Sequence, residues 1–279
     1  MNAGMLASLS VITAATVAAA APQQRPSSNE PPSRSRTERE AEGRSAPRRD
    51  PKAVAVLDRM SRSLQGLTRY ELDARTSTDL LVDEDMKVQR NATAQFDVKR
   101  PDGLRATVSS DRGTYQLFYD GRRLTVYDPA RKFYATMAAP RTLRETVAAA
   151  DAKEIELPLA DFLVAATGEE LLADVTDVGY LGPSRVGGAV TDHIAVRQPD
   201  VDWQVWVDRQ TGLPRKYVIT TKTDPTAPQF IAELDWNTSP PRQSDAQFGF
   251  RPPPDARQIP FATAMEQRDA NQPRRGGAR

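Results

Sequence analysis

From Thr68 to Ser110 the hydropathy of this chain alternates with a period of two. Tyr70, Leu72 and Ala74 are interleaved with Glu71, Asp73 and Arg75, and Phe96 and Val98 with Asp97 and Lys99; Leu104, Ala106 and Val108 follow the same rule. Successive side chains of a strand point to opposite faces, so such a stretch buries one face and wets the other. That is the signature of antiparallel strands in a sheet covered on one side. Tight turns separate the strands that follow. Asp111-Arg112-Gly113 leads into Tyr115-Gln116-Leu117-Phe118-Tyr119, and Asp120-Gly121 leads into Leu124-Thr125-Val126-Tyr127. An Asp-Gly pair between alternating runs specifies a hairpin. The pattern returns near Val175 and continues to Trp236, with strands expected at 177–181, 189–197, 203–208, 215–222 and 229–236. Arg209-Gln210-Thr211-Gly212 forms a hairpin turn in which Gly212 suits a positive φ.

Two stretches change period. Val54, Leu57, Met60 and Leu64 recur at spacings of three and four, which predicts a helix over 51–65. Asp50 supplies its N-cap, Pro51 its first position and Gly66 its end. In the middle of the chain Leu143, Val147 and Ala150 suit a second helix. Pro158 opens a third, carried by Leu159, Phe162, Leu163 and Ala166 and ended by Gly168. Helices inserted within a meander of strands must lie across one face of the sheet.

The ends read differently. Residues 5–21, MLASLSVITAATVAAAA, carry no charge, and Ala18-Ala19-Ala20 supplies the small-residue pattern of a cleavage site. This predicts a signal peptide over 1–20 and export to the periplasm, although no Lys or Arg lies in residues 1–4; the alternative is an uncleaved Ala-rich anchor. Residues 21–50 are rich in Pro, Ser, Arg and Glu, with almost no large apolar side chain, and should form a disordered linker. Residues 262–279 read as a disordered tail, which leaves one folded domain over 51–261. Both ends are basic, so a chain of net charge +1 has a middle of about −3. No field favours nucleic acid as a partner. Cysteine is absent, which excludes disulfides, thiolate metal sites and a cysteine nucleophile.

Catalytic signals are weak. His193 is the only histidine, so no multi-histidine metal site can form. Its neighbour Asp192 must point to the opposite face of their strand, which favours a structural or surface role. Asp83-Glu84-Asp85 reads as a solvated turn, because calcium-loop spacing is missing. Asp200 and Asp202 read as strand-start residues, and Gly182-Pro183-Ser184-Arg185-Val186-Gly187-Gly188 as a turn. Nucleophile-elbow, phosphate-loop and dinucleotide motifs are absent, so an enzyme is not expected and no cofactor is called for.

The second half carries an ordered set of motifs. Asp202-Trp203-Gln204-Val205-Trp206-Val207-Asp208 precedes Thr211-Gly212-Leu213-Pro214-Arg215 and Val218-Ile219-Thr220-Thr221-Lys222. Ala227-Pro228-Gln229, Trp236-Asn237, Phe248-Gly249-Phe250-Arg251-Pro252-Pro253 and Ala256-Arg257-Gln258-Ile259 follow. With the helix at 51–65 and the Tyr119-Asp120-Gly121 hairpin, this order resembles the predicted periplasmic protein family known as domain of unknown function 2092. The family is similar to the lipoprotein-carrier (LolA/LolB-like) fold. The resemblance implies a mainly β protein with some α: a large curved antiparallel sheet, an incomplete barrel, with helices packed on its concave face. It further implies an apolar-ligand carrier, sensor or chaperone in the periplasm. It carries over no catalytic or binding residue.

The apolar stripes are then the candidate working parts. Leu117, Tyr119, Leu124 and Val126 form one set, Trp203 and Val205 lie on another, and Leu234 belongs to a further stripe with Phe230, Ala232 and Trp236. Leu143 and Phe162 come from the helices. Stripes alone do not separate cavity lining from plain core beneath the helices. The expected partner is a lipid or acyl chain, bound by a monomer. The alternative is an envelope interaction or signalling module that docks a protein and holds no small molecule.

Overall fold

The computed structural model describes residues 48–82, 86–152, 157, 159–241 and 244–261. The expected signal peptide, most of the linker, the tail, Asp83-Glu84-Asp85 and Pro158 lie outside the described residues. The strands are β1 (Arg48–Arg49), β2 (Arg69–Val82), β3 (Met86–Lys99), β4 (Gly103–Ser110), β5 (Gly113–Tyr119), β6 (Arg123–Asp128) and β7 (Phe133–Ala138), then β8 (Asp177–Val186), β9 (Ala189–Arg197), β10 (Val201–Asp208), β11 (Pro214–Thr221), β12 (Gln229–Asn237) and β13 (Arg257–Gln258). The helices are α1 (Pro51–Gln65), α2 (Leu143–Asp151), α3 (Ala160–Val164) and α4 (Gly168–Leu171).

All the strands join one open, curved sheet in the order β1-β8-β9-β10-β11-β12-β2-β3-β4-β5-β6-β7-β13. This bears out the expected fold class. Every pairing is antiparallel except two short edge pairs, β1 on β8 and β13 on β7. The order has a mechanical consequence. The chain leaves β7 near one edge and must re-enter as β8 near the other. The described residues between β7 and β8, which include α2, α3 and α4, therefore cross the sheet face.

The alternation read in the sequence is the core seen edge-on. Leu72 pairs with Phe96, Phe96 with Ala106 and Ala106 with Leu117, so one row of buried side chains runs across four strands. In the other half Ala232 pairs with Tyr217, Tyr217 with Val205 and Val205 with Ile194. Cross-strand pairs of this kind are the unit of sheet stability. Helix α1 lays Ala53, Val56, Leu57, Met60 and Leu64 on the same core. Asp50 caps it as expected, accepting from the Lys52 amide at 2.8 Å. Phe248 of the closing segment is 2% exposed.

Three expectations change. Arg48 and Arg49, assigned to the linker, pair with Asp177 and Val178, so the fold begins before residue 51. Residues 182–186 are not a turn: β8 runs through them after a bulge between Tyr180 and Gly182, and only Gly187 and Gly188 turn. The bulge needs the positive φ of 112° that Gly182 supplies. Gly168 does not end a helix but begins α4, where Thr167 and Glu170 form a capping box.

Gly212 joins two layers. Its φ is 72°, and a Cβ there would strike Ser63 Oγ on α1. Gly212→Ala should therefore lower stability by about 1–3 kcal/mol, from left-handed strain plus the clash. Adding Ser63→Ala should restore part of that loss. Urea unfolding midpoints of the parent, the two single variants and the double variant measure both effects.

Candidate functional site

Helix α3 lies within the run Leu157 to Ala166, in which Asp161 is the only charged residue. At five residues it is too short to hold itself together. Both ends are strained: Leu159 (φ 55°) and Ala165 (φ 49°) adopt left-handed backbone without being glycine. Each costs about 1–2 kcal/mol. Support comes from outside. Arg100 donates to Phe162 O at 2.9 Å and Leu163 O at 3.2 Å. Arg144 donates to Val164 O at 2.9 Å and Ala165 O at 3.2 Å. Ser61 Oγ donates to Ala166 O at 2.7 Å. Five successive carbonyls are thus each bound by a side chain from another element, which meets the requirement that buried carbonyls be paired.

Arg100 also donates to Leu64 O and Leu67 O at the end of α1, and to the Tyr70 hydroxyl at 3.3 Å. One guanidinium therefore faces the carbonyl ends of two helices, where the helix dipole favours a cation. Burial raises the Tyr70 phenol above its ordinary pKa, and Arg100 opposes that rise. Replacing Arg100 with Met should leave several carbonyls unpaired and cost about 2–4 kcal/mol. Hydrogen exchange should accelerate most at amides 160–166, while β3 and β4 stay protected. Uniform acceleration would show that the latch is not local.

Beneath α3 is a space of about 20 Å³, room for about one water. Met60 and Leu64 of α1, Leu171 of α4, Trp203 and Val205 of β10 and Tyr217 of β11 line it with Asp161, Phe162 and Ala166. The rings stand at steep angles around it. Phe162 meets Tyr217 edge-on at 5.3 Å, and Trp203 meets Tyr217 at 6.0 Å and 60°. A hydrogen bond of 3.1 Å from Trp203 Nε1 to Gln198 Oε1 fixes the indole.

Asp161 is the one acid in this lining, and among the described residues no cation pairs with it. Burial alone pushes its carboxyl up to about 6. Tyr217 is raised well above its ordinary value, by burial first and then by the Asp161 charge. The folded state thus binds the Asp161 proton more tightly than the unfolded chain, whose carboxyl titrates near 3.8. Ionisation costs stability above pH 6, and the cost disappears below about pH 4. Asp161→Asn should be the more stable protein at pH 7.5, by up to about 3 kcal/mol. Denaturant titrations across pH 4 to 8 should show the gap closing as pH falls; equal stability at pH 7.5 would contradict the assignment.

The residues expected to line a cavity are placed as follows. Leu117, Tyr119, Leu124, Leu143, Phe162, Trp203, Val205 and Leu234 share one buried core, and Val126 packs against it. Only Phe162, Trp203 and Val205 border the space. Leu117, Tyr119, Leu124 and Leu143 belong to the β5–β6 half of the sheet and to α2, where the Tyr119 hydroxyl ties down to Pro140 O at 2.8 Å. The other residues lining the space, Met60, Leu64, Asp161, Ala166, Leu171 and Tyr217, were not among those expected. A lone acid in a ten-residue apolar run was the signal available for Asp161.

The other candidate residues separate as strand geometry requires. His193 stacks on Trp206 at 4.0 Å and hydrogen-bonds Gln204 at 3.0 Å; burial lowers its pKa and Gln204 opposes this. Asp192 points the other way, to Arg59 at 3.0 Å, Arg209 at 2.7 Å and the Tyr180 hydroxyl at 2.8 Å. Burial alone would raise its carboxyl, yet these donors hold it below the usual range. Asp202 pairs with Lys222 at 2.9 Å and Arg197 at 3.7 Å. Among the described residues no group of three His, Cys, Asp or Glu could hold a metal, and no helix is long and apolar enough to cross a membrane. A second space, about 160 Å³ and mixed in polarity, lies between the outward side chains Phe118, Thr125 and Thr136 and the closing segment at Phe248 and Phe250.

An open antiparallel sheet whose one face is crossed by short helices defines the class of fold. The chain belongs to the DUF2092 family of predicted periplasmic proteins, whose model matches residues 53–262. That bears out the resemblance carried by the ordered motifs. No curated protein matches it. Among solved structures it is similar to the lipoprotein LppX of Mycobacterium tuberculosis, with a TM-score of 0.44 and 16% identity over 70% of this chain and 99% of that one. LprF of Mycobacterium bovis gives a TM-score of 0.44 and 12% identity, over 70% and 96%. The MucA/MucB complex of Pseudomonas aeruginosa gives 0.41 and 16% over 72% of this chain. The match spans about three fifths (61%) of the chain in that complex.

Proposed function

We propose that this chain is a non-enzymatic periplasmic carrier or sensor of a lipid-like apolar ligand, received between the sheet and the helices that cross it. The observation that carries this reading is the apolar space lined by Met60, Leu64, Phe162, Trp203, Val205 and Tyr217 under a strained helix latched from outside. As it stands the space admits one small group, so an acyl chain enters only as α3 moves. Binding then draws on apolar burial, about 0.8 kcal/mol per methylene. Native mass spectrometry of the purified chain should find co-purified lipid, and a fluorescent fatty alcohol should bind and be displaced by envelope lipid extract. A chain that carries no lipid and binds no probe ends this reading.

A second reading rests on a different feature. Beyond Thr78 and Ala92, β2 and β3 no longer pair with β12 and β4 and pair only with each other. This projecting hairpin exposes Met86 (52%) and Val88 (36%). Exposed apolar side chains on a projection suit a protein partner in the envelope. If that is the function, Met86→Lys with Val88→Lys abolishes cross-linking to the partner and leaves probe binding intact.

A further inference from the structure

The site has a chemistry that plain apolar burial does not use. Its lining holds one ionisable group at neutral pH, the Asp161 carboxylate, and among the described residues that group has no hydrogen bond or ion pair. An unpaired charge against apolar walls is costly, and a lone acid is not needed to bind a hydrocarbon. Around the same space stand Phe162, Trp203 and Tyr217, with ring pairs at 78° and 60° and centroids 5.3 and 6.0 Å apart. Aromatic faces attract cations through their quadrupole, and the attraction grows where water is excluded. A half-buried acid and three aromatic rings lining one space are the groups that bind an ammonium. The volume narrows the class. About 20 Å³ accepts one water-sized group, which a primary ammonium is and a trimethylammonium is not.

We propose that the ligand of this site is an amphiphile with a primary ammonium head on an apolar chain, its head paired with Asp161 and enclosed by Phe162, Trp203 and Tyr217. The inference rests on the apolar-ligand reading above. The head occupies the space already present, and the chain follows the apolar walls as α3 moves aside. A carboxylate head is repelled by Asp161 and leaves that acid unpaired, so fatty acids are poor ligands here. The raised carboxyl is the expected state of an acid awaiting a counter-ion.

The experiment compares four twelve-carbon probes on the full purified chain at pH 7.5, below micelle formation: dodecylamine, dodecanol, dodecanoate and dodecyltrimethylammonium. Displacement of a fluorescent fatty alcohol gives the affinities. Dodecylamine should bind about tenfold more tightly than dodecanol, and dodecanoate more weakly than either. In Asp161→Asn the amine should fall to within about threefold of the alcohol, with dodecanol unchanged. Phe162→Leu keeps the apolar bulk but removes a ring, and should shrink the amine-to-alcohol ratio by a few fold. Dodecanol and dodecanoate binding as tightly as the amine would overturn the ammonium assignment and leave the apolar-ligand reading standing. So would an amine preference that survives Asp161→Asn. Equal binding of the trimethyl compound overturns the choice of a primary head. If none of the four binds, both readings fall.

Discussion

The guanidinium of Arg100 stands where the carbonyl ends of α1 and α3 converge on the end of β3, and it donates to four backbone oxygens and the Tyr70 hydroxyl. Helix ends turned into a protein interior present carbonyls that need donors. A guanidinium offers five in one plane, from a group that stays protonated. Lysine has fewer donors on a more mobile stem and could not reach both helices in the same geometry. Without this group the Phe162 and Leu163 carbonyls of α3 would lose their donor, and that part of the crossing segment would rest mainly on apolar contacts. Its shape would then be far less fixed, because apolar contacts are not directional.

The topology is what requires the latch. A sheet ordered with β8–β12 on one side and β2–β7 on the other forces the chain across its face between β7 and β8. That crossing and the helix α1 together cover the buried face among the described residues. Helix α1 provides the anchor. Its start is held by Asp50, which accepts from the Tyr180 amide at 3.3 Å as well as capping the helix. Its middle is held by Arg59 on buried Asp192, a carboxylate that also receives Arg209 and Tyr180. Removing one partner from such a group leaves a buried charge short of donors, which costs more than an exposed pair contributes. The segment above the space is thus secured to a helix that is itself held at two points to the β8–β10 half of the sheet.

What the sequence disclosed follows from how local each signal was. The period of two in β2, β3 and β4 is written residue by residue, so those strands and their buried faces were legible. Strand β7 was not recognised, because Phe133, Ala135 and Met137 alternate with Tyr134, Thr136 and Ala138, and neither set is clearly the polar one. Glycine and proline at 182–183 imitated a turn where the fold uses a bulge. At α4 the sequence did hold the correct sign, Thr167 three residues before Glu170, but Gly168 was read as a stop. The latch was out of reach by its nature. Arg100 is 62 and 63 residues from the carbonyls it binds on α3, and nothing near position 100 marks it. The apolar stripes were legible as stripes, yet which of their members border an opening depends on where α3 comes to rest.

On the proposed reading, the balance between closed and open states can be weighed. Opening releases five carbonyl hydrogen bonds, each of net value about 0.5–1.5 kcal/mol, so roughly 5 kcal/mol in all. It also relaxes two left-handed residues, which returns about 2–4 kcal/mol. Phe162, Leu163 and Val164 lose their core contacts, but an apolar ligand takes the same place and substitutes for them. The remaining deficit is about 1–3 kcal/mol, which two to four buried methylenes offset at about 0.8 kcal/mol each. A ligand shifts such an equilibrium only by the difference in its affinity for the two states. A chain that buries fewer methylenes than this therefore leaves α3 closed, and one that buries more opens it. Strain stored at Leu159 and Ala165 sets that threshold low; the donors on Arg100, Arg144 and Ser61 keep it above zero.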